Sequence, residues 1–264
     1  MSALGAAPSA DKSAYSLANP TPDSLLREMS TDRPDTTEGP ATVDAGRVQI
    51  EMDFAGFTRN RLDGVRTTEW GLAPFNIRLG LRQDFEVGVF VAPYVRQTET
   101  PRGGPREKHA GFGDLTLRAK FNFWGNDGGE SAGGLILDLK LPTARRALGN
   151  GAVEGAVSLP LAFELPAGWE LGLMTKADLR HRDGGGMRAV WVNTATVGHD
   201  LWSKNFGGYL ELTSQAGEGA HVATFNFGVT WKVNPNLQFD CGAELGVTRT
   251  ADDARFFAGV SRRF

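Results

Sequence analysis

The chain has 264 residues, with 28 basic and 31 acidic side chains and a net charge of −3. This balance creates no strong basic field, so we expect no nucleic-acid partner. The mean hydropathy is −0.27. No stretch approaches the roughly 20 apolar residues that a transmembrane helix needs, which excludes a helical membrane protein. The lone Cys241 excludes an internal disulfide and a multi-cysteine metal site.

The first part of the chain differs in composition from the rest. Residues 1–29 are rich in Ser, Ala and Pro, and we interpret them as a flexible leader. They lack the charged and apolar regions of a secretory signal, so we expect a signal either to have been removed or to lie upstream of Met1. Residues 30–45 form a polar segment of mixed charge, and residues 46–264 carry the strand pattern described next.

Alternation of apolar and polar side chains is the main signal after residue 46. In the first predicted strand, Val48, Ile50 and Met52 fall on one face, whereas Gln49 and Glu51 fall on the other. The same pattern predicts about twelve strands. The others run through residues 75–81, 85–95, 115–123, 135–141, 157–163, 169–180, 187–199, 209–213, 223–231, 237–247 and 256–264.

One part of this pattern is less regular. Val190, Trp191 and Val192 are contiguous in the eighth strand, so we expect a β-bulge there.

Tight links are predicted at 82–84, 165–168, 202–205 and 234–236, and long loops at 98–111 and 143–152. Short and long links that broadly alternate are typical of the turns and loops of an outer-membrane barrel.

The position of aromatic residues separates a membrane barrel from a soluble sandwich, which would show the same alternation. Trp124, Trp169, Trp202, Trp231 and Phe264 all fall at strand ends that the link pattern assigns to one side. Amphipathic rings prefer the interface between lipid and water. The sequence therefore predicts an all-β, transmembrane, antiparallel up-and-down barrel of about twelve strands in the bacterial outer membrane.

Charged side chains on the polar faces must then line the lumen, because each charge facing lipid at the bilayer midplane costs roughly 2–4 kcal/mol. These side chains have two interpretations: a salt-bridge lattice that packs a narrow lumen, or a ladder that guides polar solutes. The predicted lumen-lining residues are Glu51, Arg78, Glu86, Asp114, Arg118, Lys120, Asp138, Lys140, Lys176, Asp178, Glu211, Asp240 and Glu244.

The last strand ends on an aromatic residue. Phe256, Ala258, Val260 and Phe264 share one face, which resembles the terminal signal that the barrel-assembly machinery reads on outer-membrane proteins. Arg262 breaks the apolar face, but near an interface a long basic side chain reaches water. We therefore expect outer-membrane lipid and the assembly machinery as partners, with Phe264 as an assembly signal. The pattern predicts no oligomeric state.

Catalytic and cofactor chemistry has weak support. The four histidines do not converge by spacing, so we predict no metal site, no cofactor and no enzyme. An outer-membrane enzyme is kept as an alternative. Its only candidate groups are His181 with Asp183, and His221 with Asp252 and Asp253.

Several short stretches carry a family resemblance. The segment STDRPDTTEGPATVDAG at 30–46, followed by VQIEMDF, resembles the opening of the MetA-pathway phenol-degradation family of outer-membrane proteins. KLPT at 140–143, LGNG at 148–151, VGHDL at 197–201 and NPNLQFDCG at 234–242 also match. The resemblance covers nearly the whole chain after residue 29, and it implies a barrel for passive passage of small, hydrophobic or aromatic compounds. A structural barrel without transport is the other alternative.

The most specific part of this resemblance is the polar stretch before the first strand. It contains Asp32, Arg33, Pro34, Asp35 and Glu38. Its backbone groups would need hydrogen-bond partners inside a pore. We expect it to lie in or under the periplasmic mouth of the barrel, paired with lumen charges, as a plug or constriction. The alternative is an N-terminal anchor with no transport role.

Overall fold

The computed structural model describes residues 11–145, 147–182, 184–217 and 220–264. Within these ranges, strands form one antiparallel sheet whose last strand also pairs with its first. No helix in this part of the chain is long and apolar enough to cross a membrane. The strands are β1 (Val48–Leu62), β2 (Val65–Leu72), β3 (Phe75–Arg82), β4 (Phe85–Val91), β5 (Tyr94–Pro101), β6 (Glu107–Gly111), β7 (Leu115–Trp124), β8 (Ser131–Leu141), β9 (Glu154–Leu165), β10 (Trp169–His181), β11 (Met187–Ser203), β12 (Phe206–Gly217), β13 (Ala220–Asn234), β14 (Leu237–Gly246) and β15 (Ala254–Arg263).

The barrel has twelve strand positions around its circumference, called here walls. Three of these walls are each made of two shorter strands. β1 pairs with β3 along its first part and with β2 along its second part, so β2 and β3 together form one wall. β4 with β5, and β6 with β7, are split in the same way. Pro74 and Pro93 lie at two of the breaks, where a residue without an N–H interrupts the ladder. The closed barrel therefore has twelve walls, which confirms the predicted fold.

The polar stretch at 98–111 was expected to be a loop, and this prediction was wrong. β5 and β6 pair there from Val95 with Gly111 to Glu99 with Glu107. β2 was also missed. Most side chains of these strands are polar on both faces, so the period-two signal that marks a lipid-facing strand is weak. Strands that extend beyond the apolar layer carry no such signal.

The bulge predicted at Val190, Trp191 and Val192 was also wrong. These residues pair continuously with β10, and the register of β11 shifts instead between Asp200 and Ser203. Val190 and Val192 are buried, whereas Trp191 is 53 % exposed. Alternation is therefore preserved, because two valines face a locally apolar part of the lumen.

Outward-facing aromatic side chains collect at the end of the barrel where both ends of the strand region lie, called here the terminal end. Trp231 stacks on Phe206 with ring centroids 5.8 Å apart. Arg262 lies over the Phe264 ring at 4.8 Å. The backbone N–H of Phe264 donates to the Val48 carbonyl at 2.8 Å across the closing seam. The exposed aromatic residues at this end are Trp124, Trp169, Trp202, Trp231 and Phe264.

Candidate functional site

Residues 30–45, called here the inserted segment, lie inside the barrel. They enter from the terminal end, run across the lumen and return to begin β1. Thr37, Thr42, Val43 and Asp44 are buried. The segment forms hydrogen bonds or ion pairs with β1, β3, β4, β7, β11, β12, β13, β14 and β15. Contacts on so many strands fix it on nearly every side of the lumen.

Asp32 lies at the centre of a cluster of cations. It is 3.5 Å from Arg78 and 3.5 Å from Arg118, and it also pairs with Lys120. Its backbone N–H donates to Glu51 at 3.0 Å. Burial alone would raise the pKa of Asp32, but the three cations outweigh it and hold that pKa well below its usual range. The carboxylate is therefore charged, and it binds the segment to two neighbouring parts of the wall.

Arg33 joins the segment to both sides of the closing seam. Its guanidinium lies 2.6 Å from Asp240 on β14 and also pairs with Asp53 on β1. It comes so close to Gly259 on β15 that a Cβ there would lie 2.3 Å from the guanidinium nitrogen. Burial would lower the pKa of Arg33, but both carboxylates raise it. The peptide bond from Arg33 to Pro34 is cis.

Glu211 on β12 holds the middle of the segment through neutral donors. The backbone N–H groups of Thr36 and Thr37 donate to its carboxylate at 3.0 and 2.6 Å, and Asn226 donates at 2.6 Å. Burial raises the pKa of the neighbouring Asp35 to about 8, and the charge of Glu211 adds to the rise. Glu211 therefore anchors the segment, whereas Asp35 is a proton-binding group inside the lumen.

The second half of the segment pairs with β7. Arg118 donates to Glu38 at 2.7 Å, and Lys120 donates to the carbonyl of Gly39 at 3.0 Å. Asn122 donates to the carbonyl of Pro40 at 3.1 Å. These donors alternate along one strand and face inward, so β7 runs beside residues 38–40 as a row of partners.

Arg78 on β3 connects the segment to the wall. Its side chain is fully buried and lies 2.7 Å from Glu51 and 2.8 Å from Glu86. It also donates to the carbonyl of Ala41 at 3.1 Å. Glu86 in turn accepts the N–H of Val43 at 2.6 Å. The charge of Arg78 therefore compensates several carboxylates that water does not reach.

The end of the segment meets both the leader and the last strand. Asp44 is fully buried and lies 3.2 Å from Arg27 and 3.3 Å from Arg263 of β15. Lys12 pairs with Asp127 at 2.5 Å. Residues 11–29 thus contact the terminal end of the barrel, which differs from the expectation of a leader without fixed contacts. The first ten residues lie outside the described part.

The remaining predicted lumen residues lie on the inner face, and most pair between strands. Arg118 lies 2.7 Å from Asp138, its direct partner on β8. Residues two apart along a strand are roughly 7 Å apart, whereas opposed residues are 4.5–5.5 Å apart. Two more contacts join different strands: Lys140 with Asp114 at 3.2 Å, and Glu244 with Arg255. Asp178 instead pairs at 2.7 Å with Arg180 on the same strand, where the long arginine side chain spans the distance. Lys176 forms no ion pair within the described ranges.

Small residues at inward positions mark the path of the segment, and our reading of the sequence missed them. A Cβ on Gly80 would lie 2.1 Å from the carbonyl oxygen of Asp44, and one on Gly172 would lie 3.2 Å from the methyl group of Thr37. Glycine inside a strand often marks a close backbone approach. This signal is present in the sequence and could have located the inserted segment.

Among the described residues, the histidine considered for catalysis, His221, is not brought together with Asp252 or Asp253. His221 lies 3.0 Å from Ser214 on the outer face. Asp252 instead lines an inner cavity with Glu69, and Asp253 pairs with Arg59 at 3.7 Å. Asp183 lies outside the described residues. In the part of the chain that the structure describes, no group of three or more His, Cys, Asp or Glu side chains could hold a metal ion.

The fold and lumen define a class: an outer-membrane-type β-barrel that contains its own N-terminal segment. Two solved structures with this fold are the COG4313 outer membrane channel from Pseudomonas putida F1 and the β domain of the Bordetella autotransporter BrkA. The first has a TM-score of 0.59 and 13 % identity, covering 89 % of this chain and 100 % of that one. The second has a TM-score of 0.55 and 14 % identity, covering 83 % and 99 %.

The NanC porin also matches, with a TM-score of 0.52 and 10 % identity over 80 % of this chain and 98 % of that one. At these identities the likeness concerns the fold alone. The family of the chain follows from its sequence and does not depend on these solved structures. The chain belongs to the family described as "Putative MetA-pathway of phenol degradation", whose model matches residues 31–264, which confirms the resemblance. No curated protein matches the sequence.

Proposed function

We propose that the protein is an outer-membrane channel for the passive passage of small, hydrophobic or aromatic compounds. The inserted segment is its plug or constriction. The observation that carries this proposal is the polar connection of residues 30–45 to strands around the lumen, with Asp32, Arg33 and Glu211 as main contacts. A segment held by polar contacts can exchange them for water when it moves. The family description and the barrel fold support a transport role.

A structural barrel is the second candidate, and one observation favours it. Asp32 of the inserted segment is buried and pairs with Arg78, Arg118 and Lys120, so the segment cannot leave the lumen without breaking these ion pairs. Breaking such a buried pair leaves an uncompensated charge, at a cost of about 3–5 kcal/mol. In this alternative the segment is a permanent anchor. An enzyme has less support, because His221 and Asp252 lie on opposite faces of the wall.

Deletion of residues 30–45 separates the channel from the anchor. We expect the deletion variant to show a several-fold higher single-channel conductance in planar bilayers, because the lumen loses the residues that cross it. The control is Arg82→Ala, which changes an exposed residue at the same end of the barrel. Both variants are first checked for folding by heat-modifiable migration. Unchanged conductance in a folded deletion variant would show that the segment is an anchor.

We also propose that Phe264 is an assembly signal. Its ring is 55 % exposed on the outer face, and its backbone closes the seam with Val48. We expect deletion of Phe264 to lower the amount of folded protein in the outer membrane, while the conductance of each inserted molecule stays unchanged. Val233→Ala, which removes an exposed apolar side chain near the same end, is the matched control. Equal insertion of all three proteins would refute the role of Phe264.

A further inference from the structure

Two inward-facing cations lie in the lumen without a carboxylate partner. The lysines and arginines that face inward from the described strands all pair with described carboxylates, except Lys176 on β10 and Arg188 on β11. The nearby carboxylate of Asp178 is already held by Arg180 at 2.7 Å. Arg188 lies directly opposite Arg180, and like charges in such a cross-strand pair repel each other. This part of the lumen therefore carries positive charge that the described carboxylates do not balance.

Arg188 also has a hydrogen-bond donor without an acceptor. Its Nε atom is buried and forms no hydrogen bond with any described residue. Leaving a buried donor unsatisfied is unfavourable, whereas an anion beside it would accept a short, charge-assisted hydrogen bond. The unused donor and the unbalanced charge therefore point separately to an anionic ligand.

Apolar side chains lie beside the two cations. Val190 and Val192 occupy the next two inward positions after Arg188 on β11, and Val192 is directly opposite Lys176. Met174 is the neighbouring inward residue on β10. Both valines and Met174 are buried, whereas the long side chain of Lys176 is half-buried and can move aside for a ligand. These five residues, called here the cationic patch, combine positive charge with an apolar surface.

The cationic patch lies directly beyond the inserted segment, on the side away from the terminal end. The hydroxyl of Thr37 donates to that of Thr194 at 2.7 Å. Thr194 is paired with Met174, and the next inward pair along the same two strands is Val192 with Lys176. A solute that enters from the mouth opposite the terminal end therefore meets the cationic patch before it meets the inserted segment.

We propose that the cationic patch is a binding site for small aromatic carboxylates. The proposal rests on the channel function and deepens it, because it names the charged substituent of the solute. Lys176 binds the carboxylate, and Val192 and Met174 contact the ring. Arg188, nearer the open mouth, attracts the anion inward. A few placed polar groups beside apolar side chains are typical of sites that bind and orient a small molecule.

The test measures binding of three solutes to the purified, folded protein in detergent by isothermal titration calorimetry. Benzoate carries both the ring and the charge, benzyl alcohol carries the ring alone, and acetate carries the charge alone. Lys176→Met removes the charge and keeps an extended side chain, and Arg188→Gln removes the second cation. The matched control is Lys108→Met, which removes an exposed lysine from β6. Heat-modifiable migration checks that each variant is folded.

We expect benzoate to bind the unaltered protein about tenfold more tightly than benzyl alcohol or acetate, because a hydrogen bond to a charged group is strong enough for such a factor. Lys176→Met should lose about the same factor for benzoate, Arg188→Gln should lose less, and Lys108→Met should bind like the unaltered protein.

Equal binding of benzoate and benzyl alcohol would overturn the proposal, and this comparison needs no variant. Equal binding of benzoate by the Lys176→Met variant and the unaltered protein would overturn it too. The conductance of the protein lacking residues 30–45 tests the channel separately. A higher conductance of that protein, with no benzoate binding to the unaltered one, would refute the site and leave the channel function standing.

Discussion

Replacing Arg78 by methionine is expected to destabilise the barrel more than any other single change in the lumen. The substitution keeps an extended side chain but leaves Glu51, Glu86 and Asp32 without their shared cation. Removing one partner of a buried pair costs about 3–5 kcal/mol. Denaturant unfolding followed by heat-modifiable migration should show the loss directly.

Two further variants show whether charge is the cause. Arg59→Met removes an arginine that is half exposed and lies 3.7 Å from Asp253, so it should cost no more than about 1 kcal/mol. Adding Glu86→Gln to the Arg78→Met variant should recover part of the lost stability, because it removes one of the uncompensated charges. An Arg78→Met protein as stable as the wild type would contradict the description of this network.

Raising the pH from the ordinary pKa of Asp35, 3.8, to about 8 is expected to loosen the inserted segment. Burial, with the charge of Glu211, raises the pKa of Asp35 from 3.8 to about 8. The docked segment therefore holds a proton that the released segment gives up. Docking is strongest below the ordinary pKa of Asp35 and weakens as pH rises to about 8, by about 1.4 kcal/mol per unit.

Conductance recorded as a function of pH checks this expectation. The wild-type protein should open more often as pH rises toward 8, whereas Asp35→Asn should show a flat profile because its amide does not titrate. Thr31→Ser, a change elsewhere in the segment that adds no titratable group, serves as the control and should follow the wild type. The same pH profile in the Asp35→Asn protein would assign the response to another group.

The membrane-spanning strands could be predicted because lipid imposes one rule on every outward position. Apolar residues such as Leu159 and Leu161 face the bilayer, and charged residues such as Lys120 and Glu211 face the lumen. That rule ends where the strands leave the apolar layer. β2, β5 and β6 therefore carry no comparable signal. The twelve walls were predicted although these three strands were not.

The contacts inside the lumen were much harder to predict than its lining. The inward position of Arg118 follows from parity, but its pairing with Asp138 depends on the register between two strands. The contact between Thr37 and Glu211 joins residues 174 positions apart in the chain. Hydrophobic periodicity carries no information about such a pair. Inward-facing glycines such as Gly80 are the one local signal of the segment's path.

The ion pair between Asp44 and Arg263 has a consequence for the order of assembly. Asp44 precedes the first strand, and Arg263 is the last residue of the final strand. Arg33 likewise joins Asp53 of β1 to Asp240 of β14. Residues before the first strand therefore gain their full set of partners only when the last strand is in place. We therefore expect docking of the N-terminal segment and closure of the cylinder to be one cooperative event, so a barrel stalled before closure would leave its interior charges in contact with water.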